Sequence, residues 1–479
     1  MTLPGFSQTI KDGGLGLISP DAGQTHIAVG ASSTGPVNVL AFYTDPDKVK
    51  ADYGVGPLVD KAIYHLQIAG GQVGVMRCTS SVAGANGSVT VERGGAGTST
   101  GTVTPSGEPN DAYDFVVKLT KDGANLVAAT ATFKYSIDGG DNYSPDIAVP
   151  TGATYVVPNT GVTLTFANGA GTAFVTGDTH SFTSSAPGYS STNATDALDA
   201  LRTTFKTAQF GFVHLVGAAA SVAGAATMAA AVGAKMTAEE VVFRYVFIVI
   251  ECPDDTDANI IAGFAAVVHE RVVVAAGYCE LVANGKIMKR NAAWPACARL
   301  SQQGIQRDLG RVRPDTEGGP VKGVSSLYRD EGATPGLADA RFTTLRTYPG
   351  QPGFYITDGR TMAAPGSDFS LLQFRRLMDR ACTINYQAMF PFINDDAVRV
   401  EDDGTINEVD ARAAESNANA KLRGDMVPKK VSAARTILTR DNNILSTSTL
   451  KTKVRLRPRG YAKYIESEIG FENPAFLPT

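Results

Sequence analysis

VVFRYVFIVI, residues 241–250, is the stretch on which the fold turns. One charge, Arg244, interrupts ten residues rich in β-branched and aromatic side chains, the pattern of a parallel strand buried on both faces. It predicts a strand over residues 241–251. Working outward, helical and extended patterns alternate. A helix over 195–207 opens at the cap candidates Asn193 and Thr195 and carries Leu198, Leu201 and Phe205 on one face. A strand over 210–216, an Ala-rich helix over 218–234, a helix over 257–271 and a strand over 272–276 follow, which reads as successive βαβ crossovers. Far upstream, a strand at 25–30, a helix at 57–69 and a strand at 72–78 form one more such unit.

Between these two α/β stretches the texture changes. Residues 86–187 alternate Thr, Val, Ser and Gly with no 3.6-residue period, and turn signals such as Asp122-Gly123 and Asp138-Gly139-Gly140 separate short extended runs. This is an all-β module inserted in a loop of an α/β domain, since exposed loop tips tolerate insertions. It has four bases against nine acids. Beyond Arg307 comes a Gly/Pro-rich charged stretch, then a helix at 369–390, a hairpin turning at Asp402, Asp403 and Gly404, a polar helix at 407–423, and extended segments at 435–439 and within 449–465. The predicted fold class is therefore an α/β core domain (21–85 plus 188–365) with an inserted all-β domain (86–187) and an α+β C-terminal domain (366–479).

The 479 residues, 43% of them hydrophobic and 19% charged with a net charge of −4, exclude global disorder and a generally nucleic-acid-seeking surface. Residues 421–479 differ, with twelve bases against five acids. Five cysteines, an odd number with no CxxC pair, read as buried thiols. The N-terminus lacks the basic and apolar regions of a secretory signal, and the Ala-rich stretch 217–236 is interrupted by glycines and Lys235, so no membrane span is expected.

Chemical motifs fail on inspection. GASSTG at 30–35 has Thr34 where a nucleophile elbow needs glycine, and Gly285-Lys286 lacks the glycine and the Ser/Thr of a phosphate loop. Asp254, Asp255 and Asp257 directly precede a helix, where carboxylates cap rather than gather a cation. The five histidines are scattered along the chain. No catalytic, cofactor or metal residues are assigned. What does stand out is alternation: Lys451, Lys453, Arg455, Arg457 and Arg459 point to one face of an extended strand, Leu450, Thr452, Val454 and Leu456 to the other. It reads either as an edge strand of this protein's own sheet, protected by its charges, or as a strand donated to a neighbour.

Several segments together resemble contractile tail sheath proteins of bacteriophages: GASSTGPVNVLAFYTDPDKVKADYGVGPLVDKAIYHLQIAGGQVGVMRC (30–78), WPACARLSQQGIQRDLGRVRPDTEGGPVKGV (294–324), TYPGQPGFYITDGRTM (347–362) and RLRPRGYAKYIESEIGF (455–471). The resemblance implies a structural, non-enzymatic subunit that forms stacked hexameric rings around a tail tube and contracts to drive the tube through a host envelope. It implies terminal arms that add strands to neighbouring subunits: residues 1–20, with Gly13, Gly14 and Gly16 as a hinge, and the strand Leu450, Lys451, Lys453, Val454, Arg455, Leu456, Arg457 and Arg459. The inserted domain would face outward, and the 407–423 helix, through Arg412, Lys421 and Arg423, would face the tube. Implied partners are neighbouring sheath subunits, the tail tube protein, and baseplate and tail terminator proteins, with no cofactor, no direct nucleic acid and no membrane span. The implied place is the virion tail, assembled in the host cytoplasm. The sheath of a phage-tail-like bacteriocin or injection system fits the same residues. An α/β-domain hydrolase would need a nucleophile–base pair that the sequence does not supply, and a monomeric surface-binding protein would stay a single species at high concentration.

Overall fold

The computed structural model describes residues 25–95, 97–123, 131–170, 173–204, 211–217, 219–315, 317–396 and 398–471. The N-terminal arm with Gly13, Gly14 and Gly16 lies outside them. The chain divides into two compact units at Arg380/Ala381.

The first unit begins with β1 (His26–Gly30), β2 (Leu40–Tyr43), α1 (Pro46–Tyr53), α2 (Pro57–Ile68) and β3 (Val73–Arg77). Both helices start with proline in the first turn, where its missing N–H costs nothing. Eight strands follow: β4 (Thr90–Glu92), β5 (Thr102–Ser106), β6 (Asp114–Lys121), β7 (Thr132–Ser136), β8 (Ile147–Ala148), β9 (Thr154–Val156), β10 (Thr163–Ala167) and β11 (Thr179–Thr183). They form two sheets, β5-β10-β9 and β4-β11-β6-β7-β8. Phe115, Phe133, Phe166 and Phe174 fill their shared core. Bridges between Val82 and Gly188 and between Asn86 and Ser184 hold the entry and exit of this segment side by side.

The α/β pattern then resumes with α3 (Ser191–Thr204), β12 (Phe212–Leu215), α4 (Val222–Val241), β13 (Phe247–Glu251), α5 (Asp257–Phe264) and β14 (Val272–Ala275). The central sheet runs β14-β13-β12-β1-β3-β2, parallel except for the edge strand β2. One face buries Ala28, Phe212, Phe247 and Val273 with Trp294 and the α2 side chains, and the other buries Ile27, Val213, Ile248 and Val274 with α3, α4 and α5. The deciding decapeptide is thus strand only in its last four residues. α4 extends through the helix-forming Ala238, Glu239 and Glu240 to Val241, Phe243 turns at φ 60°, and the strand starts at Phe247. The helix expected over 257–271 likewise ends at Phe264.

Next come β15 (Tyr278–Ala283), β16 (Lys286–Asn291), α6 (Ala293–Gln302), β17 (Val324–Leu327), β18 (Leu345–Tyr348), β19 (Gln351–Ile356) and α7 (Leu372–Met389), within which the unit division falls. Asn284 and Gly285, at φ 54° and 71°, make the two-residue turn between β15 and β16, so the failed phosphate loop is a hairpin. A buried ion network closes this part of the first unit: Arg271 contacts both Asp379 oxygens at 3.0 Å, and Arg375 adds a 2.6 Å bond to Asp379.

The second unit holds the end of α7, then α8 (Glu408–Met426), β20 (Ala433–Leu438), the short α9 (Ile444–Thr447) and β21 (Thr452–Arg457).

Candidate functional site

Helix α8 starts at Asn407, whose side chain accepts from Val409 N, with Glu408 and Asp410 in the first turn where the dipole favours acids. Ala411, Ala414, Ala418, Leu422 and Met426 recur at three- and four-residue spacing and are buried. Three of these five are alanines, so a strand can approach the helix closely. β20 buries Ala434, Thr436 and Leu438. β21 pairs antiparallel with β20, with Ala434 opposite Leu456, Thr436 opposite Val454 and Leu438 opposite Thr452. The strand singled out at 450–459 therefore pairs with its own chain in this structure, the edge-strand arrangement. Its alternation is visible: Thr452, Val454 and Leu456 are half-buried, and Lys453, Arg455 and Arg457 are exposed.

The two edges of this ribbon are unlike. Thr439 N donates to Lys451 O at 2.9 Å. That bond, with the register, makes 439/451, 437/453 and 435/455 the hydrogen-bonded pairs. The N–H and C=O groups of Ala434, Thr436 and Leu438 consequently point to the outer edge of β20, and those of Thr452, Val454 and Leu456 to the outer edge of β21. Five of the six groups of the first set are taken up by side chains. Asn419 accepts from Thr436 N at 2.8 Å and donates to Thr436 O at 3.0 Å. Glu415 accepts from Leu438 N at 2.7 Å, Arg423 donates to Ala434 O at 3.4 Å, and Arg440 donates to Leu438 O at 2.6 Å. Arg440 also pairs with Glu415 and Glu408, and this holds both carboxyls below the usual glutamate value. The second set has no backbone partner among the described residues.

The solvent face of the ribbon carries Arg435, Lys453, Arg455 and Arg457, with Ala433 and Ile437 among them. Arg435 lies directly opposite Arg455, an unfavourable pairing of like charges. Neither they nor Lys453 and Arg457 form a salt bridge among the described residues. Beyond β21, Tyr464, Ile465, Ile469 and Phe471 are 85% to 109% exposed.

Leu450 packs partly buried against the cluster of Ile406, Ala411 and Leu438, Lys451 is exposed, and Arg459 donates to Pro428 O. Of the basic residues on α8, Arg412 pairs with Glu408 at 2.6 Å, Lys421 reaches Gln387 O at 3.5 Å, and Arg423 is engaged at the β20 edge. Sequence reasoning missed Glu415, Asn419 and Arg440. The signal was present for the helix residues: Glu415, Asn419 and Arg423 recur every four positions, one stripe of α8.

The first unit holds a buried polar cluster. His26 and His65 share a 3.0 Å Nδ1···Nδ1 bond, and His214 Nε2 meets Glu251 Oε1 at 3.0 Å. Trp294 Nε1 donates to the same carboxylate oxygen, and Lys61 Nζ donates to Trp294 O at 3.1 Å. Burial, with Lys61 adding to it, holds His26 and His65 well below the usual imidazole value, and burial also lowers His214. A donor atom each from His26, His214 and Cys297 lie within 4.8 Å of one another. The set suits a cation poorly. Its one ligand that could bring a negative charge, the Cys297 thiol, is pushed up to about 12 by burial, and the lysine beside it opposes a further positive charge. The carboxylates of the acidic run do not cap the helix as expected: Thr256 caps α5, Asp255 accepts from Thr256 N and the Asn259 side chain, Asp254 pairs with Lys289, and Asp257, in the first turn, pairs with Arg329. Among the described residues no helix is long and apolar enough to cross a membrane.

Residues 3–360 match the family described as DUF2586, N-terminal domain, and residues 368–475 match DUF2586, C-terminal domain. Nothing among the curated proteins matches. Among solved structures, the helical sheath of the anti-feeding prophage in its contracted state is similar over 98% of this chain and 99% of that one, at 10% identity and a TM-score of 0.52. A chain of the contracted anti-feeding prophage baseplate is similar over 98% of each, also at 10% and 0.52. The sheath tail protein of Desulfitobacterium hafniense aligns over 95% of this chain and 100% of that one, at 13% identity and a TM-score of 0.44. The fold is that of contractile tail sheath proteins.

Proposed function

This chain belongs to the DUF2586 family, and from that premise we propose that it is the structural subunit of a contractile tail sheath, polymerising as stacked hexameric rings around a tail tube and shortening to drive the tube through a cell envelope. The observation that carries the reading is the likeness of fold to a helical sheath over 98% of this chain. The open ribbon edge supports it, since a subunit joined to copies of itself by added strands needs an accepting edge. Each added residue forms hydrogen bonds with a net gain of about 0.5–1.5 kcal/mol apiece and loses about 1–2 kcal/mol of backbone entropy, so apolar burial must tip the balance.

In this reading the residues from Leu450 to Arg459 lie at the contact between subunits, and the N-terminal arm, hinged at Gly13, Gly14 and Gly16, reaches a neighbour. Arg412 and Lys421 face the tube, and the inserted β-rich segment faces outward. The further partners are the baseplate and tail terminator proteins, and the place is the virion tail, assembled in the host cytoplasm. The protein performs no catalysis and takes no cofactor. A second reading, the sheath of a phage-like injection system, is favoured by the fold shared with the anti-feeding prophage sheath. Negative-stain microscopy of the purified chain tests both: hollow cylinders support them, and isolated particles at every concentration and salt level contradict them. Co-expression with a tube protein from a genome-ejecting or an injecting particle then separates the two.

A further inference from the structure

The inserted segment and the central sheet have separate apolar cores: no residue of the cluster around Phe115, Phe133, Phe166 and Phe174 belongs to either cluster on the faces of the sheet. A polar joint links them. Asp111, wholly buried, reaches out of the segment to Arg290 of β16, Oδ2 to Nη2 at 2.6 Å. The same guanidinium lies 3.6 Å from Asp60 of α2, a second buried carboxylate, which accepts from the Asn284 side chain at 3.0 Å and lies 3.5 Å from Lys286 Nζ. Arg290 rests on the Trp294 ring and Lys286 on that of Tyr113. Asn110 O comes so near the start of α2 that a Cβ on Gly56 would sit 3.2 Å from it.

The charged groups that face Asp111 are therefore Arg290 and Lys286 from β16 and Asp60 from α2, with the Tyr113 phenol beside it, while Glu251 of β13 acts on Arg290. Two buried carboxylates share one buried guanidinium, and the Lys286 ammonium is partly exposed. Holding a charged Asp111 away from water is costly, and Asp60 beside it repels. Burial above all, with Asp60 adding to it, pushes the Asp111 carboxyl up from 3.8 to about 6 against the pull of Arg290 and Lys286. A proton on Asp111 removes the repulsion and leaves the charge of Arg290 to Asp60, and the neutral carboxyl keeps an oxygen that accepts from the guanidinium.

We infer that Asp111 and Arg290 form a proton-dependent clasp, which holds the inserted segment against the α/β domain more firmly in acid than at neutral pH. Released from the joint, Asp111 meets water and returns to its ordinary value of 3.8, so between that value and about 6 the docked form binds a proton that the undocked form does not. Docking strengthens as pH falls through about 6, with a gain of about tenfold at pH 5 over pH 8. The inference is independent of the sheath reading.

The test uses the full-length chain, kept monomeric by dilution, and amide exchange at pH 5, 6.5 and 8, with each rate corrected for the intrinsic rate at that pH. Protection across residues 110–113 and 286–291 should be about tenfold higher at pH 5 than at pH 8, and the segment's own core at Phe133 and Phe166 should show no such gain. Asp111→Asn, which is neutral at every pH, should remove the dependence. Circular dichroism establishes that this variant is folded. Where it unfolds, Asp60→Asn takes its place and should move the rise to lower pH, because the repelling charge is gone. Equal protection at pH 5 and 8 in the native chain, a rise that survives Asp111→Asn, an unshifted rise in Asp60→Asn, or an equal gain at Phe133 and Phe166 would each overturn the inference.

Discussion

The two units of this chain solve the same problem, covering a sheet, in opposite ways. In the first, six strands are sealed between helices on both faces, and even the polar side chains within, such as His26, His214, Glu251 and Lys61, are wholly or almost wholly buried. In the second, a two-stranded ribbon has one face on a helix, one edge covered by that helix's side chains, and the other edge open among the described residues. Isolated two-stranded ribbons are marginal in water. The lesson is a division of labour: the first unit seals its sheet within itself, and the second leaves one ribbon edge open among the described residues.

The sharpest break in that comparison comes from the sealed core. Phe247→Ala should cost the first unit about 3–5 kcal/mol, read by denaturant unfolding, because a fully buried ring in a packed sheet leaves a cavity. Signals from the second unit, followed by amide exchange in α8, should barely move. Equal loss in both would mean that they are one cooperative body.

Acid should separate the units next. His26, His65 and His214 bind protons less readily folded than unfolded, so their contribution is complete above the ordinary imidazole value of 6.5 and fades as pH falls below it. Asp111, pushed up to about 6 chiefly by burial, works the other way, because its protonation favours the folded state. In the second unit Glu408 and Glu415 are held below their ordinary value of 4.5, so their contribution lasts until pH falls below that. A melting series should show the first unit weakening first. The reverse order would contradict the picture of three neutral histidines.

Smaller effects probe the ribbon. Asn419→Ala leaves both backbone groups of the buried Thr436 without their partner and should cost the second unit about 1–3 kcal/mol in thermal melts. A neutral outcome would mean that the stripe does not close the edge. Smallest of all, Arg455→Thr removes the like charge facing Arg435 and should stabilise the isolated chain by about 0.2–1 kcal/mol while weakening assembly. A gain in both would show that the basic face has no acidic partner.

Much of the first unit was readable in the residues. β1 and β3 lie within a residue or two of where periodicity places them, because parallel central strands are continuous apolar runs. The end of α4 was not: Val241 and Val242 look like strand, yet the helix formers before them carry the helix through Val241. The β15–β16 hairpin carries its turn signal in Asn284-Gly285, although Gly285-Lys286 first invites comparison with a phosphate loop. The histidine cluster needs the register of β1 with β12 and the placement of α2, which no local pattern encodes. For the ribbon, the alternation from Leu450 to Arg457 declared a two-faced strand, and the four-residue stripe on α8 was in plain view. Which strand the stripe serves is a tertiary fact, and so is the difference between a closed edge and an open one.

Hydrogen–deuterium exchange, comparing monomer with assembled protein, goes to the heart of the matter. New protection should appear at the amides of Val454 and Leu456, with the central sheet of the first unit unchanged. Assembled particles in which those amides exchange as fast as in the monomer would contradict the claim that copies are joined through this edge.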